Sequence, residues 1–145
     1  MTRLPPIRDD RGQTVFLAPI GLIIVLILGM ATLEVGAMHL HQRQLDDLAD
    51  SIANDAATVG FDTDAFRTSG EIRIDATLAN SVAGPAIAIS NLDSATAAPM
   101  TVVDGPEPEV TVVLTYEHEH IFAAQIFSPS TTLTATGTAA LVGSG

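Results

Sequence analysis

The chain has 145 residues, about one domain by size, and its 17 acids outweigh six basic residues to give a net charge of −11. A chain this acidic repels a phosphate backbone, which argues against nucleic acid as a partner. It has no cysteine, so a disulfide scaffold, a zinc–thiolate centre and a cysteine nucleophile are all excluded.

The strongest signal comes first along the chain. Gly12–Leu33 is 22 residues without a charge, GQTVFLAPIGLIIVLILGMATL. At about 1.5 Å per residue it reaches roughly 33 Å, enough for a hydrocarbon core of about 30 Å. Backbone groups in lipid must satisfy each other, so the stretch is expected to be helical despite Pro19. Arg3, Arg8 and Arg11 precede it and only Arg43 follows closely. The positive-inside rule then puts the N-terminus in the cytoplasm and the rest outside. A cleaved secretory signal is the main competitor, with Val35-Gly36-Ala37 as a weak cleavage site. A soluble core helix is the lesser one.

The helix continues past the span. No proline occurs between Pro19 and Pro85, and Leu45, Leu48, Ile52, Ala56 and Val59 recur at spacings of three and four. Asp46, Asp47, Asp50 and Asn54 take the other faces, which makes an amphipathic helix ending at Gly60. One rod over about residues 13–59 is expected, roughly 70 Å long. Glu34, at the outer end of the span, is either a charge that pairs with a partner or one that simply reaches the water interface; the second is favoured.

Residues 61–70 read as a loop and Glu71–Ile74 as a short strand at most. Asp75 is the expected N-cap of a helix through Val82, closed by Gly84-Pro85. Ile87 and Ile89, two apart, suggest a strand over Ala86–Leu92. Met100–Asp104 is a strand, Gly105-Pro106-Glu107-Pro108 a turn, and Glu109–Glu119 a strand with Val110, Val112, Leu114 and Tyr116 on one face. Ile121–Phe127 is an apolar loop. Thr131–Val142 is a last strand, with Leu133, Ala135, Gly137, Ala139 and Leu141 opposite Thr132, Thr134, Thr136 and Thr138. The expected fold is α+β: a long N-terminal helix, transmembrane then amphipathic, packed on a small antiparallel sheet. It divides into a cytoplasmic leader (1–12), a membrane helix (13–38), its amphipathic extension (39–60) and an extracytoplasmic α+β head (61–145).

Catalytic chemistry is not legible. There is no nucleophile elbow, phosphate loop, dinucleotide fingerprint or HExxH, so no enzyme and no cofactor is expected. His118 and His120 share a strand face and could bind one metal, but no third ligand stands out unless His39 or His41 folds close. A solvated strand end is the favoured account of Glu117–His120, and no metal ligand is assigned.

Arg11-Gly12-Gln13-Thr14, followed at once by a long apolar helix, resembles the start of type IV pilin-like proteins. Glu34-Val35-Gly36, with Arg43-Gln44-Leu45 and Leu48-Ala49-Asp50 further on, is similar to TadE/TadG-like proteins of the tight-adherence (Flp) pilus system. That resemblance implies a non-enzymatic minor pilin-like or accessory subunit, held in membrane lipid and packing against other pilin or pilus-assembly subunits. It also implies a prepilin peptidase cutting between Gly12 and Gln13. Leu17 stands where that family carries a glutamate, five residues past the cut, so an uncut single-pass anchor is the second form expected. Helix packing would use Gly21, Gly29, Glu34, Gly36, Leu45, Leu48 and Ile52. A membrane-anchored or secreted binding domain unrelated to pili, using the threonine face and the Ile121–Phe127 loop, is the alternative.

Overall fold

The computed structural model describes residues 11–122 and 129–142, with side chains from Leu17 onward. A single helix, α1, runs from Arg11 to Val59 without a break. Its 49 residues span about 73 Å at 1.5 Å per residue. Pro19 sits inside it and does not end it. Within the apolar half, the Thr32 hydroxyl donates to the Leu28 carbonyl one turn back (2.8 Å), so the side chain brings no unpaired polar group into that stretch.

The two halves of α1 differ in what covers them. From Leu17 to Leu33 every large apolar side chain is 42% to 67% exposed, on all faces of the helix. Water does not tolerate so long an apolar cylinder, and the segment is compatible with a single-pass membrane anchor. From Leu45 onward the opposite holds. Leu45, Ala49, Ile52, Ala53 and Ala56 are fully buried against the head, and Ala57 nearly so. Leu48 is half-buried at the edge of this seam. Val59, expected on the stripe, is instead 50% exposed, because Ala49, Ala53 and Ala57 carry the buried face along the helix.

The head is α+β, as its periodicities imply. Its sheet centres on β3 (Glu109–Glu119), antiparallel along its whole length to β4 (Ser130–Ala140). On the other edge of β3 lie two short strands, β1 (Thr96–Ala97) and β2 (Thr101–Val103), both antiparallel to it. The alternation places Val110, Val112, Leu114 and His118 inward on β3, and Leu133, Ala135, Gly137 and Ala139 inward on β4, with the β4 threonines outside. α1 lies across this inner face. The contact is close because it is made of small residues: a Cβ on Gly137 would run into the Ala49 carbonyl and come within 2.6 Å of the Asp50 nitrogen.

Three short helices fill the link between rod and sheet. α2 (Thr63–Ser69) replaces the expected loop over 61–70. Asp62 caps it by accepting from the Asp64 and Ala65 amides, and Gly70 closes it at φ 72°, a left-handed turn suited to glycine. The expected strand at Glu71–Ile74 reduces to one bridge between Phe61 and Ile74. Asp75 does cap α3 (Ala76–Asn80), accepting from Thr77 and Leu78, but that helix ends short of Val82. The expected strand at Ala86–Leu92 is wrong: Ala83–Ile89 forms α4. Gly84-Pro85 begins this helix rather than ending the previous one, since a proline in the first turn gives up no hydrogen bond. Two isoleucines were too few to separate period two from period 3.6; Ile87 packs on the core and Ile89 is 88% exposed.

Candidate functional site

The polar centre of the molecule lies where the bare and covered halves of α1 meet. Glu34 is 11 residues before Leu45, about three helical turns, and therefore continues the buried stripe toward the N-terminus. His41 lies between them on the same side. On β3 the inward alternation runs on past Leu114 and Tyr116 to His118, and His120 follows just beyond the strand. The His120 amide donates to the Pro129 carbonyl (3.1 Å), which keeps the β3–β4 pairing in register to that point. Two periodicities, one helical and one pleated, thus converge on a carboxylate and three imidazoles.

Glu34 is only 9% exposed, although its neighbours along the chain are open. This corrects the expectation that its carboxylate reaches the water interface. It is paired within its own chain. Oε1 meets His120 Nδ1 at 2.8 Å and accepts from the Ile121 amide at 3.1 Å; Oε2 accepts from the Phe122 amide at 3.1 Å. The turn after β3 is folded around the carboxylate and satisfies both of its oxygens. His120 Nε2 is in turn 2.7 Å from Thr131 Oγ1.

His118 is 3% exposed. Its Nδ1 faces His41 Nδ1 at 3.0 Å, and the two ring centroids are 5.0 Å apart. Its Nε2 is buried, points toward Glu34 Oε1 at 3.9 Å and has no hydrogen-bond partner among the described residues. Burial holds this imidazole below its ordinary pKa, the neighbouring His41 and His120 rings push the same way, and Glu34 pulls it back up. A depression lined by Ala37, His41, Tyr116, His118 and Ile121 opens beside the cluster.

The solvated-strand-end account of Glu117–His120 therefore fails at His118, which faces the helix. Glu117 and Glu119 do point outward, as the alternation requires. The third ligand type beside the two rings is Glu34, 84 residues before His118; of the two helix histidines, His41 does fold close, against His118, while His39 is exposed.

The other expected positions are not gathered here. Gly21, Gly29 and Gly36 lie along the helix with nothing among the described residues within 4 Å of an added Cβ. Leu45 and Ile52 are spent on the chain's own sheet and offer no surface to another subunit. The Gly12–Gln13 bond lies within the helical backbone, whereas Arg3, Arg8 and residues 123–127 of the apolar loop lie outside the described residues. Ile121 and Phe122, the described start of that loop, are 72% and 42% exposed.

No family model, curated protein or solved structure matches this chain.

Proposed function

We propose that this protein is a single-pass membrane subunit of a tight-adherence, type IV pilin-like assembly system, non-enzymatic and acting through the packing of its N-terminal helix. The observation that carries the reading is the division of one unbroken rod into an apolar half that no described residue covers and a half clasped by a small antiparallel sheet. A subunit stored in a bilayer and passed to neighbours needs such a division. The bare half is solvated by lipid, then by other helices, while the head folds without them. In lipid, helices associate by packing and scattered polar contacts rather than by the hydrophobic effect, and the open glycines at 21, 29 and 36 permit close approach. The Arg11-Gly12-Gln13-Thr14 start and the Glu34-Val35-Gly36 step carry the resemblance, and the arginines before the span favour an N-terminus inside and a head outside.

Glu34 also weighs on the fate of the helix. Cleavage at Val35-Gly36-Ala37 would remove the carboxylate that the head's own turn encloses, leaving the His120 ring and the Ile121 and Phe122 amides without it. The head is built to keep its helix, which favours an anchor over a disposable secretory signal.

Intact mass and N-terminal sequencing from the native membrane, with crosslinking before extraction, test the proposal. An N-terminus at Gln13 or Met1, with crosslinks to other pilus components, is the expected result. An N-terminus near Met38, or crosslinks to no assembly component, overturns it; in the second case a membrane-anchored binding domain is what remains. Because the chain has no cysteine, a single one placed at Thr136 on the outer sheet face reports which side of the membrane the head occupies.

A further inference from the structure

We infer that Glu34, His118 and His120 form a binding site for one divalent transition-metal ion, Zn²⁺ by preference, that fastens the head to the helix at the membrane boundary. Glu34, His118 and His120 each offer one ligand atom within 4.8 Å of the other two. Zinc bonds to nitrogen and oxygen of about 2.0–2.1 Å place tetrahedral ligand atoms about 3.3 Å apart. The observed separations from Glu34 Oε1, 2.8 Å to His120 and 3.9 Å to His118, lie on either side of that value.

The decisive feature is the unpartnered nitrogen. Among the described residues, His118 Nε2 is a buried polar atom with no hydrogen-bond partner, aimed at the carboxylate from too far to bond it. A metal ion between the two would give that nitrogen the partner it lacks. The surroundings are those of ligands rather than of a simple ion pair. Metal-bound imidazoles keep their other nitrogen fixed by a hydrogen bond, which sets tautomer and orientation. His118, ligating through Nε2, then carries its proton on Nδ1 and donates to His41 Nδ1 at 3.0 Å. His120, ligating through Nδ1, carries its proton on Nε2 and donates to Thr131 Oγ1 at 2.7 Å. Glu34 is steadied by the Ile121 and Phe122 amides.

Two imidazoles and one carboxylate suit Zn²⁺ and its transition-metal neighbours, whereas Mg²⁺ and Ca²⁺ prefer an all-oxygen shell. The depression beside His41 and His118 supplies an entry path and room for a fourth ligand such as water. The ion would link residue 34 to the end of β3, joining segments the chain itself connects only through the whole head.

The test uses the full chain in detergent, stripped with a chelator and titrated with Zn²⁺, with Co²⁺ as a spectroscopic stand-in. One ion per chain, a rise in Tm on adding Zn²⁺, and visible Co²⁺ bands of a low-coordinate nitrogen–oxygen site are expected. Glu34→Gln, which keeps size and an acceptor for the amides, should lose the tight site. Thr131→Val leaves all three ligands and the strand intact and should weaken Zn²⁺ about tenfold through the loss of the hydrogen bond to His120. His39→Ala, on the exposed side of the helix, should change nothing. No stoichiometric binding to a folded wild-type chain, or binding equally tight in Glu34→Gln and Thr131→Val, overturns the assignment. It stands or falls independently of the pilus proposal.

Discussion

At Gly137 the sheet abuts the backbone of α1, so Gly137→Ala tests the docking geometry. The added methyl would meet the Ala49 carbonyl and lie 2.6 Å from the Asp50 nitrogen. Both are backbone atoms in the middle of a long helix and cannot rotate aside. An ordinary contact needs about 3.4 Å or more, so α1 must lift by roughly 1 Å over the sheet. That loosens Leu45 and Ile52 against Val112 and Leu114, all fully buried. Overpacking of this kind costs about 1–3 kcal/mol, and more where the neighbours are rigid. Replacing glycine in a strand returns about 0.5–1 kcal/mol. A net loss of about 1–2 kcal/mol is expected, worth roughly 4–8 °C in Tm at about 4 °C per kcal/mol for a chain of this size. The assay is thermal unfolding of the full chain in detergent, followed by the near-ultraviolet signal of Tyr116 or by deuterium exchange along β3, because the membrane half keeps its helix regardless. Thr136→Ala, one residue away on the outer face, is the control and should stay within about 0.5 kcal/mol. A Gly137→Ala protein as stable as that control would show that α1 is not seated on β4.

Other positions give sharper or milder effects. Ile52→Ala, in the buried seam, should cost about 2–5 kcal/mol in the same measurement. Asp75→Ala removes the acceptor for the Thr77 and Leu78 amides and should cost about 1 kcal/mol, seen as faster exchange at those two positions. Glu34→Ala should speed exchange of the Ile121 and Phe122 amides selectively, since those two donors lose their acceptor; unchanged rates would mean that something else holds the turn. For the metal-free chain, His118 makes stability depend on pH. Its pKa is lowered in the fold, where it faces His41, His120 and Glu34, so the unfolded chain takes up its proton first. Its contribution is present above the ordinary histidine pKa of about 6.5 and declines as pH falls below it. His118→Gln should flatten that decline; an equally steep fall in the variant would assign it to other groups.

Elements whose physics is local and repeated are legible in the residues alone. Twenty-two residues without a charge specify a helix suited to lipid whatever follows them. The strict alternations of Val110–Leu114 and Leu133–Ala139 gave both long strands and the face each turns inward, because a pleat leaves no other choice. Where the pattern was short it misled. Ala86–Leu92 offered two isoleucines, and a proline in a first turn decided for α4. Residues 63–69 carry no apolar stripe and owe their helix to Asp62 and Gly70, its two caps.

The polar cluster needed the tertiary structure. Glu34 and His118 are 84 residues apart, and nothing local to either marks the other as a neighbour. Each nevertheless lay on a legible line, Glu34 three turns back along the Leu45 stripe and His118 two steps on from Leu114. Only the angle and height at which the rod crosses the sheet, set by the absent side chain of Gly137 and the alanines facing it, decide that the two lines meet. Periodicity fixes which face of an element is buried; packing between elements fixes which buried groups touch.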